Sequence, residues 1–385
     1  MRASRSARGF GGSWLSYVGG VPSIPNLFDW ATSELSQDAF LCWLVAHAGE
    51  TDRADLQRVA RAFIAWLWNR SHPEAPCRVA DVALHRAPSK QEAHTDVFFA
   101  ARIRGAVVLF LVEDKVRSSH HHGQLQRYAK WLDAQALKHG AAADVKVYFK
   151  TGYHFDEDRA AATHRYLVVG LDDVVGFFSA HLAASDILAD YRRYVTAMLA
   201  ERHAALDGFR ELGRDFVQYE FLRALRRACP ENIGAGALAR GNNVGGTPWT
   251  HYAIASFPKA LAGIHESLFL RVDARQDDGG RRRYYLGLRQ YGYVKDREAS
   301  NPGSKRLKLM RLAQHKAHLD AARAAVGTTL RFGRVSNDHQ GANESEVGVL
   351  FFDEQAQTPA AVLDAWPAVH RALIERLRAM SPAEP

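Results

Sequence analysis

Cysteine and long apolar runs are scarce in this sequence, and each shortage excludes a class of protein. The 385 residues contain 3 cysteines, Cys42, Cys77 and Cys229, which are too far apart for a disulfide framework or a zinc site. No apolar run approaches the roughly 20 residues that a helix needs to cross a bilayer. The Arg-rich first residues lack the apolar core and the cleavage site of a secretory signal. We therefore expect a cytoplasmic protein with no membrane segment.

A phosphate-binding loop is also missing, and charge is only mildly unbalanced. The Gly-rich stretch 241–246 lacks the Gly-x-x-x-x-Gly-Lys-Ser/Thr order, which argues against an NTPase. The net charge is +8, of which the residues through Leu206 carry +2 and the residues from Asp207 onward carry +6. A basic surplus favours a polyanionic partner through phosphate contacts and counterion release. Composition therefore favours nucleic acid as a partner, although a surplus of this size is weak support.

The length suits two domains. Residues 1–25 are rich in Gly, Ser and Arg and are expected to form a flexible basic arm. Residues 26–206 alternate between strand and helix patterns, which predicts an α/β domain, and residues 207–385 are expected to form a second, α+β domain. Within this second domain we expect a strand at 328–335 and a loop at 232–248, which is either a tight, mobile, substrate-facing loop or a connection.

The stretch from His94 to Tyr128 is the most informative part of the chain. Two apolar runs flank the turn 102–105 and predict a β-hairpin, and the second run is apolar nearly throughout, as in a strand buried on both faces. This strand ends in Glu113-Asp114-Lys115. Because side chains alternate along a strand, Glu113 and Lys115 share one face and Asp114 points away.

Asp96 starts the first strand of this hairpin, seventeen positions before Glu113. The hairpin can therefore bring Asp96 beside Glu113 and Lys115. Hard cations such as Mg²⁺ prefer oxygen ligands and often take one or two carboxylates, with water and substrate phosphate as the other ligands. A lysine beside such an ion can orient or deprotonate the attacking water, or neutralise charge on the phosphate. The pattern predicts phosphodiester hydrolysis, and the alternative is a strand that ends in solvated charges.

The acidic-x-Lys triplet, preceded by Asp96, resembles the signature of the PD-(D/E)XK nuclease superfamily. The helix that follows carries Gln124 and Tyr128 on one face, within QLQRY, and resembles the extra motif of RecB-type and lambda-exonuclease-type members. The resemblance implies a restriction-endonuclease-like mixed central sheet flanked by helices, with Asp96 and Glu113 as ligands of Mg²⁺, for which Mn²⁺ is a substitute. It also implies a metal-dependent nuclease, with DNA favoured over RNA, in which Gln124 and Tyr128 orient substrate and the neighbouring carboxylates.

The first helix adds a second resemblance. The stretch NLFDWATSELSQDAFLCWL resembles the opening of a bacterial subgroup of the same superfamily, whose suspected roles are genome maintenance and defence against foreign DNA. In that superfamily the first helix often supplies an acidic residue to the metal site. Glu34 is the better candidate and Asp38 the weaker one, and the alternative is that both acids are solvated or cap the helix N-terminus.

Two further features lie near the predicted site. Gln91 precedes Asp96 in a loop and is a candidate for positioning metal or substrate, with a plain surface glutamine as the alternative. Three adjacent histidines, His120–His122, cannot all bind one ion with good geometry. We expect them to lie in a loop at the rim of the site.

The second domain contains two basic clusters. Arg281, Arg282 and Arg283 lie among tyrosines, and a helix then begins with a cluster composed of Lys305, Arg306, Lys308 and Arg311. Arginines beside aromatic rings can grip phosphates and stack on bases, whereas the alternative is an ordinary half-exposed sheet and a solvated helix face. Two rival interpretations remain: a nucleic-acid-binding or regulatory module with an idle site, and a second domain that senses a protein partner or a small ligand.

Overall fold

The structure is a computed structural model that describes residues 26–31, 33–116, 118, 123–242, 248–277, 279–294, 297–336 and 343–379. The predicted N-terminal arm and His120–His122 lie outside the described residues. The chain separates into two compact units. The first comprises Met1–Val116, Gln126–Phe149 and Val174–Val195, and the second comprises Arg117–Leu125, Lys150–Asp173 and Thr196–Pro385. The predicted boundary between residues 206 and 207 stays a prediction.

The described residues form a mixed α/β structure with two sheets, so the predicted fold class is confirmed at this level. The α-helices are α1 Leu27–Trp30, α2 Glu34–Ala46, α3 Ala54–Ser71, α4 Gln124–His139, α5 Asp156–Arg159, α6 Leu171–Ala180, α7 Asp186–Leu206, α8 Asp215–Ala228, α9 Ser304–Val326 and α10 Pro359–Arg378. The strands are β1 Val82–Lys90, β2 Val97–Ile103, β3 Ala106–Lys115, β4 Ala143–Lys150, β5 Leu167–Gly170, β6 Leu238–Asn242, β7 Pro248–Leu261, β8 Ile264–Gln276, β9 Arg282–Tyr291 and β10 Glu344–Phe351.

The first sheet contains the predicted hairpin. Its strand order is β1-β2-β3-β4-β5, and β2 pairs with both β1 and β3 in antiparallel register. Val97 lies opposite Val112 and Ile103 opposite Ala106, so the hairpin closes through a short turn in which Gly105 has a φ of 86°. A residue with a positive φ of this size is best a glycine. From Val108 onward every residue of β3 is buried, as expected for a central strand.

Helix α2 packs on the first sheet because its apolar residues repeat at helical spacing. Its buried stripe includes Phe40, Leu41 and Leu44. The Phe40 ring stacks on Tyr191 of α7, with ring centroids 3.7 Å apart, and meets Phe28 edge-on. This aromatic group packs α2 against α1 and α7, and the start of α2 lies beside the end of β3, where the Val116 N–H donates to Glu34.

The second sheet has the order β10-β9-β8-β7-β6, and its neighbouring strands are antiparallel. Alternate residues of β8, such as Leu268, Leu270 and Val272, join a core with side chains of α8, α9 and α10. The helices therefore cover one face of this sheet, because a sheet with one apolar face must bury that face against another layer. None of the helices in the described part of the chain is long and apolar enough to span a membrane.

Two expectations for the second domain are wrong. The stretch 232–248, expected to be a loop, contains the edge strand β6. The sequence of β6 is only weakly apolar and does not indicate a strand, but β6 pairs with β7. The stretch 328–335, expected to be a strand, makes only an isolated bridge between Gly333 and Val349. The Gln357 side chain forms two hydrogen bonds with the backbone of Arg331. It accepts from the Arg331 N–H at 2.7 Å and donates to the Arg331 carbonyl at 3.0 Å. Those groups are then not available for a ladder.

Candidate active site

The hairpin brings Asp96, Glu113 and Lys115 together in the first unit, as the alternation pattern predicts. Lys115 Nζ lies 2.6 Å from Glu113 Oε1 and 3.4 Å from Asp96 Oδ2. The same ammonium donates to the carbonyl of Asp114 at 2.8 Å. Two carboxylates from neighbouring strands therefore converge on one cationic nitrogen at one end of the sheet.

Burial differs among the three side chains. Glu113 is 0% exposed and Lys115 is 8% exposed, whereas Asp96 is 22% exposed. The Asp114 backbone N–H donates to Asp96 Oδ2 at 2.8 Å, which holds this carboxylate against the end of β3. Asp96 is consequently the most exposed of the three side chains, so solvent or a ligand approaches the group from its side.

The charges in this group are unbalanced, because two acidic groups face one ammonium. Burial raises the pKa of Glu113 to about 8, and the charge of Asp96 adds to this rise while Lys115 opposes it. Burial alone would lower the pKa of Lys115, but Glu113 and Asp96 outweigh it and hold that pKa above its ordinary value. Lys115 is therefore a fixed positive charge near neutral pH, and a further cation would stabilise the ionised form of Glu113.

Glu34 and Tyr128 lie at the borders of this group. Glu34 begins α2, and its Oε1 accepts from the Val116 N–H at 3.4 Å, directly after Lys115 in the chain. The Tyr128 hydroxyl donates to the His94 carbonyl at 2.6 Å. His94 has a φ of 70°, an uncommon conformation for a residue with a side chain, so this bond helps to hold the turn that leads into Asp96.

The two glutamines of the prediction are placed differently. Gln91 has a φ of 59° and its backbone N–H donates to the Asp96 carbonyl at 3.2 Å, so its backbone closes the same turn. Gln124 begins α4 one turn before Tyr128 and is buried. The roles predicted for these glutamines in positioning metal or substrate stay predictions.

A second acidic group lies on the other face of β3. Asp114 is completely buried and hydrogen-bonds the Gln37 side chain, which also accepts from the Tyr191 hydroxyl at 3.4 Å. Asp38, 2% exposed, lies close to Asp114, and burial raises the pKa of both carboxyl groups. The negative charge of Asp38 adds to the rise at Asp114, because two nearby carboxylates repel each other. Asp38 therefore lies between α2 and β3 on the Asp114 face, whereas Glu34 lies on the face that carries Lys115.

Gln37 could not be predicted from the sequence, since a glutamine on an amphipathic helix is ordinary. Asp38 and Asp114 lie 76 positions apart in the sequence (114 − 38), so local pattern does not indicate that they lie close together. A buried acidic residue within an apolar stripe is the one available hint, because such residues are rarely buried without a partner.

Replacing Asp38 with asparagine should change how stability depends on pH. Burial raises the pKa of Asp38 from 3.8 to about 7, and the charge of Asp96 contributes. The folded protein then binds more protons than the unfolded chain between these values, so the free energy of unfolding falls as pH rises through this range. Asp38→Asn keeps a hydrogen-bonding group, and its free energy of unfolding should fall less steeply.

Urea unfolding of both proteins, from about pH 4 to about pH 7, measures the two slopes. Asp133→Asn is the matched control, since it removes an exposed carboxylate from α4. Equal slopes in wild type and Asp38→Asn would contradict a raised pKa at this position.

The number of carboxylates at the site limits which metal ions it can hold. Among the residues that the structure describes, no group of three or more His, Cys, Asp or Glu side chains is arranged to hold a metal ion. Two carboxylates suffice for Mg²⁺, which keeps several waters and uses substrate phosphate as a ligand. The oxygens of Asp96 and Glu113 already converge on a cation, the Lys115 ammonium, so this pair fits such an ion.

No family model, no curated protein and no solved structure matches this chain. Its functional interpretation therefore depends on the geometry of its own residues.

A second acidic-x-Lys pair provides a comparison within the first unit. Asp144 and Lys146 lie two residues apart on β4, and Lys146 Nζ is 2.9 Å from Asp144 Oδ2. The Asp144 side chain is 31% exposed, whereas Glu113 is 0% exposed. The spacing alone therefore does not distinguish a surface ion pair from the buried group at Lys115; burial and the added Asp96 contact do.

The residues that are predicted to contact nucleic acid lie in the second unit. Arg281 is 86% exposed and pairs with Asp277, while Arg282 and Arg283 lie over the rings of Tyr284 and Phe351 at 5.3 Å and 5.1 Å. All three arginines are exposed at the start of β9.

The basic start of α9 is divided between surface and interior. Lys305 and Arg306 are exposed, whereas Lys308 is 1% exposed and burial lowers its pKa to about 8. Arg311 donates to buried Glu266. The four cations therefore do not share one exposed face, and their role in binding nucleic acid stays a prediction.

Proposed function

We propose that this protein is a Mg²⁺-dependent nuclease of the PD-(D/E)XK type that hydrolyses phosphodiester bonds, with DNA favoured over RNA. The observation that carries this proposal is the convergence of Asp96 and Glu113 on Lys115 at the end of a central hairpin. A restriction-endonuclease-like arrangement of the first sheet is part of the proposal. It is supported by the buried β2–β3 hairpin, with α2 packed on that sheet.

Asp96 and Glu113 would hold the cation, with Mn²⁺ as a substitute for Mg²⁺. When bound, the ion supplies a Lewis acid that polarises the phosphodiester and the attacking water. Lys115 contributes a fixed positive charge that stabilises the negative charge developing on the phosphate. Glu34 borders the same group from the start of α2 and is proposed to complete the outer ligation.

Tyr128 and Gln124 are proposed to act from one side of α4. Tyr128 holds the His94 carbonyl and so fixes the backbone that precedes Asp96. Gln124 is proposed to orient the substrate, as the resemblance implies. In this proposal, α4 positions the Asp96 backbone and the substrate.

The second unit is proposed to contact nucleic acid through Arg281–Arg283. The three exposed arginines, two of them over aromatic rings, provide cations at a surface where a phosphate backbone can be gripped. Service in genome maintenance or in defence against foreign DNA fits such an enzyme. The rival functions are an idle nuclease-like module that binds nucleic acid, and a second unit that binds a protein or a small ligand.

Incubation with plasmid and with linear single strands, with and without Mg²⁺, tests the proposal. We expect cleavage that requires Mg²⁺ and is stopped by a chelator. Cleavage without any divalent ion would contradict a metal-dependent site, and binding without cleavage under all conditions would favour the idle module.

Asp96→Ala should separate metal binding from folding. We expect Mn²⁺ to bind the variant at least about tenfold more weakly than wild type, because one of two carboxylate ligands is lost. Thermal unfolding without metal should change little, because the relief of repulsion between two close carboxylates offsets the loss of the Asp96 contacts with Lys115 and the Asp114 N–H. Calorimetric titration with Mn²⁺ measures the affinity, and Asp144→Ala, which removes a partly exposed carboxylate from β4, is the matched control. Equal Mn²⁺ affinity in wild type and Asp96→Ala would remove Asp96 from the ligand set.

A further inference from the structure

Helix α9 has a buried face and an exposed face that differ in kind. The buried residues are Ser304, Lys308, Leu312, His315, Leu319 and Ala322. Glu266 of β8 accepts from Arg311, and His315 Nε2 lies 3.0 Å from the same carboxylate. Lys308 and Arg311 therefore serve packing and ion pairing within the unit, and the exposed face of α9 consists of other residues.

The exposed face carries a regular stripe, defined here as Arg306, Met310, Ala313, Ala317 and Asp320. Successive members are four, three, four and three residues apart. At about 100° per residue, these positions fall within an arc of about 80°, so they form one straight seam about 21 Å long. Met310 is 49% exposed and its neighbour Leu309 is 43% exposed, so two adjacent apolar side chains lie at this seam.

The stripe is complementary to itself when reversed. A cation stands at one end and an anion at the other, with small or apolar residues between them. In an antiparallel pair centred on Ala313, Arg306 of each helix faces Asp320 of the other, and Met310 faces Ala317. Large side chains then meet small ones, and opposite charges meet at both ends. A two-fold interface needs this kind of self-complementary patch.

We propose that the α9 stripe docks against the α9 stripe of a second copy of this chain, as an antiparallel helix pair. Asp320 already pairs with Arg323 at 2.9 Å, but its side chain is 70% exposed and can accept a second cation. One helix pair lies at the small end of specific interfaces, below roughly 1,200 Å². We therefore expect a dissociation constant on the order of 10 μM.

Charge reversal tests the pairing directly. Arg306→Asp and Asp320→Arg each place like charges together twice in the dimer, so each variant should raise the dissociation constant by more than about tenfold. The double variant restores opposite charges at both ends and should return to within about threefold of wild type. Ala313→Arg brings two like charges together at the two-fold axis and should abolish the dimer. Sedimentation velocity on the full chain, over a range of concentrations, measures each dissociation constant.

Leu137→Lys is the matched control, because it changes another exposed leucine, 88% exposed on α4, and should leave the dissociation constant unchanged. Far-UV circular dichroism of each variant checks that it is folded. A wild type that remains monomeric at concentrations well above the expected constant would overturn the proposal. A double variant as weak as the single ones would overturn the antiparallel pairing. Loss of duplex binding in Arg306→Asp, with no change in oligomeric state, would assign this face to nucleic acid instead.

Discussion

Lys115→Ala is expected to lower the single-turnover rate of Mg²⁺-dependent cleavage by about two orders of magnitude or more. That corresponds to a loss of at least ~2.7 kcal/mol of transition-state stabilisation. Lys115 is held by Glu113 and Asp96 at the convergence point of the site, where its charge would act on the reacting phosphate of the proposed nuclease. An interaction that strengthens in the transition state raises turnover and adds little to binding.

Binding of the same substrate in Ca²⁺, which can occupy such sites without supporting the chemistry, should therefore change by less than about tenfold in Lys115→Ala. Lys115→Arg should not restore the rate. The ammonium is 8% exposed and contacts both carboxylates, so a broad planar guanidinium cannot take its place. Rapid-quench kinetics and binding measurements on both variants give the two quantities.

Lys146→Ala is the matched control, because Lys146 also follows an acidic residue by two positions on a strand and pairs with it. Its cleavage rate should equal that of wild type. Silent Lys115 variants would reduce Lys115 to a structural charge. Weaker binding in Lys115→Ala, with recovery in Lys115→Arg, would make it a phosphate anchor.

Asp158→Ala is expected to lower the free energy of unfolding by about 3–5 kcal/mol. In the second unit, Lys150 Nζ lies 2.7 Å from Asp158 Oδ2, and both side chains are 0% exposed. The same carboxylate oxygen accepts from the Phe155 backbone N–H at 2.9 Å. The variant removes the carboxylate from a fully buried ammonium and also removes the acceptor of a buried N–H, and both losses are costly.

Urea unfolding measures this effect. Asp207→Ala is the matched control, because the Asp207–Arg210 pair is largely exposed and should contribute less than about 1 kcal/mol. The double variant Lys150→Met/Asp158→Leu replaces both charges with apolar side chains and should be closer to wild type than Asp158→Ala. A loss below about 1 kcal/mol in Asp158→Ala would show that water or another group replaces the carboxylate.

The amino-acid sequence by itself determined the parts of this protein that depend on local periodicity. Alternation along β3 placed Glu113 and Lys115 on one face, and the short turn that Gly105 allows set the register that brings Asp96 beside them. The helical spacing of apolar residues likewise placed α2 against the sheet. These features could be predicted because each follows from side-chain direction over a few residues.

Tertiary structure alone decided which polar residues are buried and with what partners. Asp114 points away from Lys115, as alternation requires, but its contacts with Gln37 and Asp38 depend on where α2 docks. Lys308 appeared to be part of a basic helix face, yet that side of α9 packs on the sheet, and Arg311 meets Glu266 across 45 positions of sequence. Helical spacing shows which residues share a face, whereas docking decides whether that face meets water or protein. A charged residue can occupy the buried face when a distant residue supplies its counter-charge, and local sequence carries no record of that partner.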